Sequence, residues 1–180
     1  MKSFNTMLKT ELKLSLRGMD MVIFSICMPI VVLVAIGVIY GNKPAFEGAN
    51  YTFLEQSFGA ITSIAICAGG VMGLPLVVSD YRSKHILKRF KVTPVDPIVI
   101  LLVQVTIYAL YSLVSMISLF LVAKLFFKFN MQGNILNFIL GWLLVMISMF
   151  SIGIMVGGIS KDSKTAGVIA SVLYFPMLIF

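Results

Sequence analysis

The sequence is poor in the residues that do chemistry. It holds one histidine (His85), two cysteines and one tryptophan in 180 residues, and 12% of it is charged. It contains no HExxH, GxSxG or P-loop pattern, and no GxGxxG at a usable position. Energy for any driven process would therefore have to enter from a partner or an ion gradient. Cys27 and Cys67 each lie inside an apolar run, so they indicate neither a disulfide framework nor a zinc site, and they read as small apolar packing residues. What is abundant is apolar surface: 59% of the chain is hydrophobic, with a mean hydropathy of +1.04. A soluble domain of this size leaves too much of its surface wet to hide that content. Disordered chains are poor in just these residues. The composition indicates an integral membrane protein.

Runs without an ionisable side chain cover residues 21–42, 56–79, 97–123, 129–160 and 165–180. About 20 apolar residues cross the hydrocarbon core as a helix, so the first four runs are each long enough. The fifth stops at residue 180 while still fully apolar and reads as a span cut short. A helix satisfies its own backbone in lipid, and no run alternates as a strand would. The expected fold is an all-α polytopic membrane protein forming one transmembrane domain over 1–180. It comprises an interfacial helix at 1–19, spans at 21–41, 57–79, 97–123 and 135–159, a cytoplasmic loop at 80–96, and the start of a fifth span at 165–180. The first run is too long for a signal-peptide core, and no A-x-A site follows it.

Basic residues set the orientation. Lys2, Lys9, Lys13 and Arg17 precede the first span; Arg82, Lys84, Lys88, Arg89 and Lys91 follow the second; Lys161 and Lys164 follow the fourth. Only Lys43, Lys124 and Lys128 fall on the other side. The positive-inside rule then places the N-terminus in the cytoplasm, with Tyr40 and Tyr51 at the outer interface. In the N-terminal segment Phe4, Met7, Leu8, Leu12, Leu16 and Met19 recur at helical spacing, a pattern suited to a helix lying in the headgroup layer. Gly18 and Asp20 would supply the bend into the first span.

The stretch 79–97, SDYRSKHILKRFKVTPVDP, is too long for a tight turn and is internally organised. Ile86, Leu87 and Phe90 fall on one face of a short helix, with Arg82, Lys84, Lys88, Arg89 and Lys91 largely around the rest. Thr93-Pro94 ends that helix, because the residue before proline is pushed out of the α region. Asp96-Pro97 is a helix start, with Asp as N-cap and Pro at the first position. Such a helix suits a groove on a cytosolic partner. It equally suits a basic loop held on anionic headgroups, and composition alone does not separate the two.

The order of elements, together with the run from Arg82 to a T-P-V end at Thr93, Pro94 and Val95, resembles the permease subunits of ABC-2 type exporters. There a loop of the form R-x-x-G-T-L-x-x-L-x-x-T-P-V joins the second and third spans. His85 and Ile86 stand here in place of Gly-Thr. The resemblance covers the whole chain in layout and about 15 residues in motif, and it implies a permease lacking a sixth span. It also implies that Ile86, Leu87 and Phe90 fill a groove on a cytosolic ATP-binding subunit, with Arg82, Lys88 and Arg89 at its rim. The implied partners are that ATPase, a second permease copy or sister permease, and membrane lipid, with no nucleic acid, no cofactor and no catalytic residue in this chain. The implied site is the plasma membrane of a bacterium or archaeon.

Within the spans no Asp, Glu, Lys or Arg occurs, which argues against a proton-driven carrier and favours an apolar or amphipathic cargo. Gly37/Gly41, Gly69/Gly73 and Gly153/Gly157 each satisfy GxxxG and are candidates for close helix packing. Pro29, Pro75 and Pro176 interrupt their spans. Twelve methionines could line an adaptable apolar cavity, though lipid-facing or core positions explain them as well. Two rivals to the exporter permease remain: a membrane anchor that recruits a cytosolic protein through the same loop without transport, and an intramembrane enzyme. The enzyme is the weaker, for want of a nucleophile–base pair.

Overall fold

Residues 2–18, 23–40, 43–46, 51–85, 97–131 and 133–179 are described by the computed structural model, the side chains at 2, 3, 24, 97 and 179 excepted. The named elements among them are helices: α1 (Lys2–Gly18), α2 (Met28–Tyr40), α3 (Phe53–Cys67), α4 (Leu74–Ser83), α5 (Pro97–Phe127), α6 (Ile135–Ile159) and α7 (Ser163–Ile179). A π-helical segment, Ile23–Cys27, leads into α2, and a second, Ala68–Gly73, joins α3 to α4. Three continuous helices are long and apolar enough to cross a membrane: Phe53–Ser83, Ile98–Phe127 and Ile135–Ile159. Two shorter apolar helices, Ser25–Tyr40 and Ser163–Leu178, accompany them.

Several boundaries differ from the sequence expectation. The expected second span, 57–79, is the middle of a helix running from Phe53 to Ser83, because a capping box starts it early. Thr52 Oγ1 accepts from Glu55 N at 3.3 Å, while Glu55 Oε2 accepts from Thr52 N at 2.9 Å. The expected third span, 97–123, continues to Phe127, past Lys124, whose long side chain can reach out to polar surroundings. The first expected span is the shortest departure: its described helical part is a π turn followed by the 13 residues of α2. The expected turn at Asp20 lies outside the described residues.

The two π segments have a common cause. A proline in a helix lacks an N–H, and its ring clashes with the carbonyl four residues earlier. For Pro29 and Pro75 those carbonyls belong to Ser25 and Val71, each inside a π segment. Widening the turn, with Leu74 N bonding back to Gly69 O, accommodates the ring without breaking the span. Pro176 lies inside α7 near its end.

Packing centres on the Phe53–Ser83 helix. The π segment and α4 lie against α6 so closely that backbone meets backbone. A methyl group on Gly153 would overlap the Gly70 carbonyl oxygen, and one on Gly157 would come within 2.8 Å of Val78 Cβ and 3.1 Å of Pro75 Cα. The Phe150 ring covers Gly70. Gly37 on α2 receives the Phe127 ring, and Gly69 faces Ser25 and Tyr108. Gly73 is buried in the π segment, and Gly41 lies outside the described residues. One apolar core gathers Ile66, Leu74, Val78, Ile107, Trp142 and Phe150, and a second gathers Leu33, Leu54, Phe58, Ile61 and Leu119. The outward faces of α5 and α6 remain apolar and exposed, as at Leu125, Leu144 and Ile147, which is the surface a bilayer covers.

The Gly153→Ala variant should unfold at lower temperature in detergent, by about 1–3 kcal/mol of overpacking. Gly158→Ala, one residue beyond the Gly153/Gly157 pair and with nothing within 4 Å of the new methyl, should hold or gain stability.

Candidate functional site

The end of the bundle that carries α1 also carries the last turn of α4, the close of α6 and the start of α7. Arg82, in the last turn of α4, sends Nη1 to the Gly157 carbonyl at 3.3 Å. The last carbonyls of a helix have no partner within it, and cations are favourable at that end, so Arg82 closes α6. Lys84 pairs with Asp80 at 2.8 Å on an exposed face, a bond worth only a few tenths of a kcal/mol, about 0.3–0.5. Ser160 closes α6 through its hydroxyl on Val156 O at 2.7 Å. Asp162 caps α7, accepting from Thr165 N at 2.7 Å. That backbone N–H holds the Asp162 carboxyl below the usual carboxylate range.

His85 follows with φ of 56°, in the left-handed region. Its N–H bonds to Arg82 O at 3.1 Å, and its Nδ1 lies 3.0 Å from Ser83 O. This turn ends α4 in the way helices commonly end, with one left-handed residue beyond the last turn. Glycine takes that conformation without cost, and histidine is among the few side-chain residues enriched there. The position is the one where the resembling loops carry glycine, so the departure at His85 keeps the turn. Of the expected coupling residues, Ile86, Leu87, Lys88, Arg89, Phe90, Thr93, Pro94 and Val95 lie outside the described residues. Arg82, expected at a partner's rim, is occupied at Gly157.

Above this turn, α1 is tied to α4 and α5 by a carboxylate that the sequence reading passed over. Glu11 Oε2 accepts from the Tyr81 hydroxyl at 2.7 Å and from Gln104 Nε2 at 3.1 Å, and Gln104 Nε2 also lies 3.0 Å from the Tyr81 oxygen. One turn on, the Tyr111 hydroxyl donates to Ser15 Oγ at 2.8 Å. The face of α1 turned to the bundle is thus Phe4, Met7, Leu8, Glu11, Leu12 and Ser15, with Leu14 and Leu16 exposed. Leu16, expected on the apolar stripe, turns outward because the buried line steps from Leu12 to Ser15.

At the opposite end Glu55 works twice. One oxygen completes its own helix cap and the other accepts from Asn130 N at 3.1 Å, joining the first turn of α3 to the segment that follows α5. Phe58 stacks on Phe129 with ring centroids 4.6 Å apart and meets Phe138 at 5.8 Å. Beside them Phe58, Met116, Phe120, Met131 and Phe138 line an apolar cleft of about 240 Å³.

The sequence profile of the ABC-2 type transporter family matches residues 2–180. The chain belongs to the ABC-2 type transporters. Among curated proteins and among solved structures, none matches it. A membrane-spanning domain of this ABC-2 family suggests the permease of an ABC transporter, and such permeases normally work with an ATP-binding subunit.

Two signals for the missed network were present in this ABC-2 sequence. Glu11 is the one acidic residue in the first 18 and stands four after Met7 and three after Leu8, on the apolar line rather than among the lysines. Gln104 is the one amide in the span 97–123, and polar side chains in lipid tend to bond across helices. Replacing Glu11 with Ala should strand the Tyr81 and Gln104 donors at a cost of about 1–3 kcal/mol, read as faster hydrogen exchange in α1 with α6 unchanged. Replacing His85 with Val, a poor left-handed residue, should cost about 1–2 kcal/mol in the thermal unfolding of the domain, whereas His85→Gly should be tolerated.

Proposed function

We propose that this chain is the permease half of an ATP-driven exporter, coupled through residues 82–95 to a separate ATP-binding subunit. The observation that carries this reading is the family match over the full described length. Among the described basic residues, Lys9, Lys13, Arg17, Arg82, Lys84, Lys161 and Lys164 gather at the end bearing α1, which supports a cytoplasmic N-terminus in a cell membrane. That is the side on which a cytosolic ATPase would be met.

In this mechanism the permease hydrolyses nothing. Closure of the ATPase pair would push on the 82–95 segment, and α4 would receive the push directly because the loop leaves from its end. From α4 the displacement would pass to α6 across the contact of Gly157 with Pro75 and Val78, since close-packed backbones have no soft layer between them. The π turn at Ala68–Gly73 would be the compliant point, because a widened turn can shift its bonds with little loss. Two such halves, from a second copy or a sister permease, would open a path outward for an apolar or amphipathic cargo.

Phe90→Asp should abolish cargo-stimulated ATPase activity of the assembled transporter while leaving membrane insertion intact, since a charge cannot replace an aromatic ring in an apolar groove. Unchanged stimulation in that variant would remove the coupling assignment and favour an anchor that recruits a partner without transport.

A further inference from the structure

Beside the Glu11 network lies a cavity of about 360 Å³, bounded by α1, α4, α5 and the start of α7 and open on one side. Its walls divide in two. Leu14, Leu76, Val77 and Tyr108 supply apolar surface, and Glu11, Ser15, Asp80 and Ser163 supply oxygen atoms. In a chain with 14 Lys and Arg and a net charge of +7, none of the described lining residues is basic.

We propose that this cavity binds the primary ammonium head of an amphiphile, with its alkyl chain along the apolar wall. Glu11 is held for the purpose: Tyr81 and Gln104 both bond to Oε2, so the carboxylate is oriented while Oε1 takes no hydrogen bond from a described residue. Gln104 is nearly enclosed, at 4% exposure, which makes the orienting amide a fixed part of the fold. Asp80, whose Oδ2 takes Lys84, brings a second carboxylate to the same space. Asp80 already holds Lys84, whereas the partners of Glu11 among the described residues are the neutral Tyr81 and Gln104; an acceptor so placed selects a donor, and a primary ammonium has three N–H groups to give and no acceptor of its own. An anionic head would meet two carboxylates and be repelled. The site lies at the end of the spans, where an amphiphile keeps its head wet and its chain in hydrocarbon.

The inference stands on the cavity alone and does not depend on the exporter reading, so its test uses neither ATP nor a partner. The full-length protein would be held in phosphatidylglycerol nanodiscs and titrated with radiolabelled dodecylamine, with dodecanol and dodecyl sulfate as competitors. Saturable binding is expected, with neither competitor displacing it, and with affinity falling by about tenfold or more in Glu11→Gln and in Asp80→Asn. Glu11→Gln keeps an acceptor for Tyr81 and Gln104, and unchanged hydrogen exchange in α1 would show that the helix stays docked. Asp80→Asn takes no part in that tie and serves as the independent variant. Adding phosphatidylethanolamine separates the sources: competition identifies a membrane-lipid head as the occupant, and its absence identifies a transported or soluble amine. Non-saturable binding, equal displacement by dodecanol, or full affinity in both variants would overturn the site.

Discussion

The constraint on which this domain rests is the approach of two backbones, at Gly70 and Gly153. In lipid there is no hydrophobic force between helices, and association depends on how closely their surfaces meet. A side chain at Gly153 would occupy the place of the Gly70 carbonyl oxygen, so the contact exists only because Gly153 lacks one. It fixes α6 on the Phe53–Ser83 helix, and the Phe150 ring over Gly70 and the Pro75–Gly157 contact lie on either side of it. The π turn beneath it owes its form to Pro75. A proline that interrupts one helix thereby shapes the surface on which another lies.

Charge is used at the ends of this bundle and kept from its middle. Glu11, Arg82 and Asp162 at one end, and Glu55 at the other, each make bonds that a helix cannot make for itself or that join one helix to the next. An ionised group at the bilayer centre is costly, whereas at a helix end the orphan amides and carbonyls are waiting for partners. The same economy explains why the chain has few acidic residues and why each described one is engaged. At the α1 end these ties bring four helices around an oxygen-lined space, on the face where α4 ends.

Much of this was legible in the sequence. Apolar runs gave the helical class and the approximate place of most spans, because lipid admits so few backbone arrangements. Pro97 at the first position of α5 follows from local chemistry that needs no tertiary context. The Phe53 start of α3 was missed because Glu55 counts against an apolar run, although Thr52 and Glu55 form a capping box in plain view. Glu11 was missed for a related reason: a carboxylate on an apolar line has meaning only once Tyr81 and Gln104, 70 and 93 residues away, are brought to it. The π turns were not legible, since a proline in a span announces a disturbance without saying which form it takes.

The most direct test of the permease account is a photocrosslink from position 90 in the full-length protein, in its own cells, with the captured partner identified by mass. The expected product is a cytosolic ATPase bearing a P-loop, captured to different extents with and without ATP. Capture of lipid alone, or of a partner indifferent to nucleotide, would contradict the account and leave the 82–95 loop an anchor.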